Sequence, residues 1–240
     1  MSVTQSLLGP LVSGGSARPL ITHYDDASGG RVELSRATVA NWAAKTANWL
    51  VDELDLEPGA AVAVRLPAHW QTAGILLGAW WCGAHVTDEP KGAEVAFAPA
   101  SELDSAAGAH CLAAVSLDML GAPLLHDLPN SAVDYVSDVR THGDDFSPIS
   151  PIPGSTPALL GSTVDELVEL ARQRAAELGI GDTDRVLSTI DWTLTGGVTD
   201  SLLAVLAGRA SLVQCSNVDP DKLDKRRADE RTTVELGLAP

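Results

Sequence analysis

The sequence predicts an α/β protein made of two similar βαβ-type lobes, each with a parallel or mixed sheet flanked by helices. Three observations carry that prediction. Residues 182–213 read as a turn, an apolar strand (185–190), a glycine-containing crossing, an apolar helix (200–207) stopped at Gly208, and a second strand (211–215). Residues 164–178, just before this stretch, have helical spacing and supply a helix to pack beside the same sheet. The plan also occurs earlier in the chain: residues 38–54 have helical period, Leu56-x-x-Gly59-x-x-Val62 matches Ile180-x-x-Thr183-x-x-Val186 at an offset of 124, and Gly83-Ala84 answers Gly208 to Ala210. One supersecondary design is thus used twice.

A chain of 240 residues with 45% hydrophobic content buries a substantial core in one or two domains. The formal charge of −16 repels polyphosphate backbones and anionic lipid, so neither nucleic acid nor a membrane is an expected partner. Only four lysines occur (Lys45, Lys91, Lys222 and Lys225), and none lies between Gly92 and Asp221. Cys82, Cys111 and Cys215 are widely spaced in or beside apolar segments, which predicts buried, reduced thiols. The opening residues lack a basic segment before their short apolar patch and carry Pro10 inside it, unlike a signal peptide. The most apolar run, residues 73–82, is about half the roughly twenty residues that a spanning helix needs. Cytoplasmic residence is the expectation.

Residues 20–24 and 32–34 alternate around the turn-forming residues 25–30, which predicts a hairpin. In the following helix Val39, Trp42, Ala43, Thr46, Leu50 and Leu54 make an apolar stripe; Trp42 and Trp49 are expected in the core. Pro58-Gly59 stops that helix, residues 61–66 form a central strand, and residues 68–82 form a helix buried on several sides and closed by Gly83. Short strands are expected at 86–87 and 95–98, a helix at 110–120 and a strand at 132–136. Residues 137–157, rich in Ser, Asp, Gly and Pro, read as a connector between a first lobe at 1–136 and a second at 158–240. Thr163 and Glu166 are spaced as a capping box. After residue 219 the chain is expected to be helical, with a last strand at 232–236; the basic residues Lys222, Lys225, Arg226, Arg227 and Arg231 alternate with acids, as on a solvated helix face.

Residues 32–86, with their strand Leu56-Glu-Pro-Gly-Ala-Ala-Val-Ala-Val-Arg-Leu-Pro67 and Gly83-Ala84 turn, resemble the amino-terminal region of adenylate-forming enzymes, the acyl-CoA synthetases, luciferases and peptide-synthetase adenylation domains. Asp184-Arg-Val-Leu-Ser188 followed by Leu202-Leu-Ala-Val-Leu-Ala-Gly208 is similar to the stretch that follows that family's phosphate loop. The chain also resembles a group of short, cut-down relatives of those enzymes. The resemblance implies a loop ending in Pro-Lys-Gly before the 164 helix, cradling ATP phosphates. Here the stretch is Pro153-Gly154-Ser155-Thr156-Pro157-Ala158-Leu159-Leu160-Gly161, short and without lysine, so Gly154, Ser155 and Thr156 are at most a remnant of the cradle. The family's histidine or aromatic gate falls near Trp192 to Leu194, with Trp192 as an aromatic wall and Thr195, Gly196 and Gly197 following it. The family's magnesium-holding motif and its mobile lysine-bearing domain are expected beyond Pro240.

The histidines His23, His69, His85, His110, His126 and His142 never take zinc-site spacing, and Gly-x-Ser-x-Gly and Gly-x-Gly-x-x-Gly are both absent. No metal site and no catalytic residue are assigned. The pairs Asp25-Asp26, Asp144-Asp145 and Asp182/Asp184 read as turn and helix-start residues. The expected function is a non-catalytic homologue of the AMP-binding enzymes, without a cofactor and with ATP or AMP disfavoured. It would bind an unidentified small molecule or a protein, as a homodimer or with a partner chain. The alternative is an adenylate-forming enzyme completed by a partner chain.

Overall fold

The structure is a computed structural model that describes residues 1–124, 128–129 and 132–237. His126 lies outside the described residues. In chain order the elements are α1 (Val3–Leu7), α2 (Gly9–Ser13), β1 (Pro19–Asp25), β2 (Gly30–Ser35), α3 (Arg36–Leu54), β3 (Ala61–Val64), α4 (Trp70–Cys82), β4 (His85–Thr87) and β5 (Val95–Pro99). A 3-10 segment (Ala100–Ala106) leads to β6 (Cys111–Val115), β7 (Val133–Asp134), α5 (Tyr135–Val139), β8 (Pro157–Leu159), β9 (Ser162–Thr163) and α6 (Val164–Glu177). Then come β10 (Arg185–Ser188), a π turn (Thr199–Leu203) running into α7 (Ala204–Ala207), β11 (Ser211–Ser216), a 3-10 turn (Pro220–Lys222), α8 (Leu223–Glu230) and β12 (Val234–Leu236).

The strands form two sheets. One has the order β12-β10-β11-β1-β2, the other β7-β6-β5-β3-β4-β8-β9. Apart from the antiparallel hairpins β1–β2 and β8–β9, neighbours are parallel, which explains why β3 and β5 are apolar along nearly their whole length, with burial on both faces. The duplicated plan is present in both sheets. α3-β3-α4-β4 and α6-β10-α7-β11 follow one another in the same way, and β10 starts 124 residues after β3. In each copy the chain runs from the first strand to a parallel neighbour on one side and then crosses to the other: β3 lies between β4 and β5, and β10 between β11 and β12. Each sheet therefore has a switch point at the carboxyl end of β3 or β10, where open α/β sheets leave a crevice.

Sheet membership does not follow the 1–136 and 158–240 division. The amino-terminal hairpin joins the other sheet, since β1 lies parallel to β11 from Ile21↔Leu212 to Asp25↔Ser216. Conversely, β8 extends the seven-stranded sheet beside β4. Both are long-range pairings, and local periodicity carries no information about which distant strand is the partner. The helix expected at 110–120 is strand β6, paired with β5 from Val95↔Cys111 to Pro99↔Val115. Cys-Leu-Ala-Ala-Val is a short apolar run buried in a parallel sheet, where strand and helix look alike. Of the strand expected at 132–136 only Val133–Asp134 is extended; the Asp134 carboxylate then accepts from the Val136 amide at 3.1 Å and starts α5.

The main apolar core joins the sheets, running from Val62, Val86 and Phe97 through the α3–α4 layer to Val186, Leu202 and Leu212, with smaller clusters around Ala96 and Ala114 and around Leu187 and Val213. Trp49 stands in it, with its ring 5.8 Å from that of Phe97, while the half-buried Trp42 meets Trp70 at 5.1 Å. α1 bridges α4 and α6, with Thr4 Oγ1 donating to the Leu77 carbonyl at 2.5 Å. The capping box forms at Thr163, and Gly83 takes φ 88° at the end of α4. Cys82 and Cys215 are buried and Cys111 is half-buried, all three free; burial pushes the Cys82 thiol up to about 12.

Gly78 on α4 lets α3 approach closely: an added Cβ would lie 2.4 Å from Thr46 Cβ and 2.7 Å from the Ala43 carbonyl of α3. Gly78→Val is expected to lower the urea midpoint, with a loss of about 2 kcal/mol, because backbone has to move to admit the side chain. An unchanged midpoint would show that the layer is loose.

Candidate functional site

The two switch points face each other. Asp191, three residues past β10, reaches across with Oδ1 accepting from the Ala68 amide at 2.7 Å and from the Trp192 amide at 2.9 Å. From β11, Ser216 Oγ donates to the Ala68 carbonyl at 2.8 Å. Residues 67–69, which leave β3, are thereby clasped on both backbone groups of Ala68. Two cavities flank the clasp and share Pro67, Leu117 and Asp191. The larger, about 670 Å³, lies at the β3/β5 crevice and takes in Arg65, Glu102, Ser105, Trp192 and Thr195. The smaller, about 450 Å³, is lined by His23, Asp25, His69, Gln214 and Ser216 among others.

The smaller cavity has a defined proton inventory. Ser216 has one hydroxyl proton, already committed to Ala68, so at 3.0 Å from His23 Nε2 it accepts; Nε2 carries hydrogen and Nδ1 is a bare acceptor. His69 Nδ1 accepts from the Gln71 amide at 3.1 Å, which puts its hydrogen on Nε2. Gln214, register partner of His23, donates through Nε2 to the Ile190 carbonyl at 3.1 Å and leaves Oε1 free. His23 Nδ1, His69 Nε2 and Gln214 Oε1 have no hydrogen-bond partner although their residues are 1%, 5% and 1% exposed. The imidazoles meet edge to face at 4.6 Å. Burial lowers His23 to about 4, against a smaller opposing pull from Asp25, and lowers His69 to about 3, with repulsion by His23 adding to it. Both rings are neutral near pH 7.

In the larger cavity Trp192 is buried, with its Nε1 unpartnered, as is Ser105 Oγ. Five of the eight buried side-chain polar atoms without a partner among the described residues thus belong to the walls of these two cavities. Each such atom costs about 1–3 kcal/mol when nothing bonds to it.

Of the residues singled out from sequence, Trp192 and Thr195 line the cleft. Gly196 and Gly197 form the turn behind them: the Gly197 amide donates to Thr193 Oγ1 at 3.1 Å, and a Cβ on Gly197 would lie 1.9 Å from the Asp191 carbonyl oxygen. Only glycine allows that approach. Gly154, Ser155 and Thr156 are elsewhere. They precede β8, at the amino-terminal edge of the seven-stranded sheet beside Gly59, whereas the cleft opens at the carboxyl edge. The Asp165 carboxylate lies 2.0 Å from where a Gly154 Cβ would be. The amides of Thr156, Leu160, Thr163, Val164 and Asp165 all donate to protein acceptors, and Asp165 and Glu166 put acid in the first turn of α6.

Sequence reading missed Asp191, His23, His69 and Gln214 as a group. A signal was available: Gln214 interrupts the apolar run 212–215, and His23 follows the apolar Leu20 and Ile21 in a strand, positions where burial of a polar group without a purpose is costly. Among the described residues no three or more His, Cys, Asp or Glu side chains converge to hold a metal ion, and no helix is long and apolar enough to cross a membrane.

The paired α/β sheets with their shared cleft have the fold of the amino-terminal domain of acyl-CoA synthetases. The chain matches a Brucella canis acyl-CoA synthetase with a TM-score of 0.78 at 15% identity, covering 98% of this chain and 47% of that one. It matches apo MatB from Rhodopseudomonas palustris at 0.74 and 18% identity, covering 98% and 49%. The amino-terminal domain of FACL13 from Mycobacterium tuberculosis matches at 0.68 and 16% identity, covering 98% and 62%. The chain thus spans about half the length of the synthetases it matches. No family model matches it. A Mycobacterium tuberculosis protein described as a TIGR03089 family protein is 44% identical over 242 residues, covering 98% of each chain, and the present chain belongs to that family.

The neutral histidines make stability depend on pH. Their folded pKa values lie below the unfolded value of 6.5, so between about pH 6.5 and 4 the unfolded chain binds more protons and stability falls as pH falls. Each ring contributes up to about 3 kcal/mol of that loss. Urea midpoints measured from pH 7 to pH 4.5 are expected to fall steeply for the native chain and less steeply for His23→Gln. Parallel slopes would contradict a neutral, buried His23.

Proposed function

We propose that this chain is a small-molecule-binding relative of the adenylate-forming enzymes, one that holds an uncharged hydrogen-bonding ligand in the cleft around Asp191 and does not adenylate it. The observation that carries this reading is the concentration of unpartnered polar atoms on the cleft walls. They present a bare nitrogen acceptor on His23, an N–H on His69, an amide oxygen on Gln214 and an indole N–H on Trp192. A ligand with both donors and acceptors would satisfy them, and two neutral imidazoles give no Coulombic hold on an anion.

The turn at Gly154 to Thr156 supports the non-adenylating part. The resemblance calls for a cation and free amides there. This turn has no lysine, its Thr156 amide donates to the Pro153 carbonyl, and a carboxylate is packed on Gly154. A phosphate approaching it meets like charge rather than a charge-assisted contact worth about 1.5–3 kcal/mol.

Two measurements test this. With ATP, magnesium and a panel of carboxylic acids, no exchange of labelled pyrophosphate into ATP is expected; exchange by the purified chain would overturn the non-adenylating reading. Native mass spectrometry of protein taken directly from cells is expected to show a retained small molecule that is depleted in Gln214→Leu while the variant stays folded. Identical ligand-free spectra for both would overturn the binding reading.

A further inference from the structure

The opposite, amino-terminal edge of the five-stranded sheet has a feature that the cleft does not use. A cavity of about 360 Å³ is lined by Arg18, Arg36, Arg185, Arg209 and Arg231. In a chain of net charge −16, that is a strong local reversal of sign. Arg185 is neutralised by Glu230 and Glu33. Among the described residues Arg18, Arg36, Arg209 and Arg231 form no ion pair within 4.0 Å.

The cavity's own carboxylates are mostly engaged elsewhere. Asp184 accepts from the Gly181 amide at 2.7 Å and from Thr233 Oγ1 at 2.7 Å. Glu230 holds Tyr24, Arg31 and Arg185, which keep it down at about 2 despite its burial. Asp182 is exposed on the rim.

Arg36 is the unusual member. It is the first residue of the 19-residue α3, whose first turn contains no acid, so a cation sits at the positive end of a long helix dipole. It is only 7% exposed; Nη1 donates to the Leu11 carbonyl at 2.9 Å, and Nε has no partner. Burial, and after it repulsion by Arg18, pulls its pKa down. A buried guanidinium with an unbonded nitrogen, a like-charged neighbour and a helix dipole against it is destabilising unless an anion completes the group.

We infer that this cavity binds one small, multiply charged oxyanion of the phosphate type, held by Arg18, Arg36 and Arg209 at the amino end of α3. Guanidinium forks match the geometry of phosphoryl oxygens in a bidentate way, and the surrounding net negative charge keeps extended polyanions off the surface. The site is separate from the Asp191 cleft, and neither reading depends on the other.

The test is melting temperature and isothermal titration of the full chain with inorganic phosphate and with pyrophosphate, without magnesium, against sodium chloride at matched ionic strength. Saturable binding and stabilisation by the phosphates but not by chloride are expected. Binding is expected to weaken about tenfold in Arg18→Gln and in Arg209→Gln, both exposed positions whose loss leaves the core intact. Arg65→Gln, in the cleft, is expected to leave it unchanged. Absence of saturation, or binding lost in Arg65→Gln and retained in Arg18→Gln and Arg209→Gln, would overturn the assignment.

Discussion

The Asp191 carboxylate decides how the two sheets meet. By accepting from the Ala68 amide it ties the segment leaving β3 to the segment leaving β10, and Ser216 secures the same residue through its carbonyl. Without these bonds the buried backbone of Ala68 would have a donor and an acceptor facing protein with no partner, a cost of about 1–3 kcal/mol for each group. The cleft exists because this polar clasp holds the carboxyl ends of β3 and β10 together while the apolar core closes elsewhere. Both cavities border it, and five unpartnered buried polar atoms belong to residues in their walls.

The duplicated plan was legible from sequence because it is local. Helix period, the Leu56/Gly59/Val62 spacing and its counterpart at Ile180 are properties of short windows, and β3 and β10 do begin at the same offset. The fold class, with parallel and antiparallel sheets flanked by helices, and the likeness to acyl-CoA synthetase amino-terminal domains were legible for the same reason. What local windows cannot specify is the exchange of strands between halves. β1 pairs with β11 and β8 with β4 because burial favours widening each parallel sheet, and no spacing within either strand announces that. Residues 110–120 failed for a different reason: a short apolar strand covered on both faces shows no alternation.

The site was half legible. The gate position that the resemblance implies, near Trp192 to Leu194, lies in the wall of the larger cavity, with Thr195 beside it. Gly154, Ser155 and Thr156 followed from the expected place of a phosphate loop, and the structure puts them on the other side of the sheet, packed on Asp165. His23, His69, Gln214 and Asp191 come from four separate segments and become a group only when the two switch points face each other. Spacing tests histidines only as metal ligands, whereas the chemistry of His23 and His69 follows from burial and from which ring nitrogen is already bonded.

The most direct test of this account is hydrogen exchange at a single amide. If Asp191 clasps the two sheets, the Ala68 N–H in the native chain exchanges only through large-scale opening, at rates like those of the core amides of β3, and Asp191→Ala makes it exchange fast while β3 and β10 stay protected. An Ala68 amide that exchanges rapidly in the unmodified protein would mean that the clasp does not hold the cleft together.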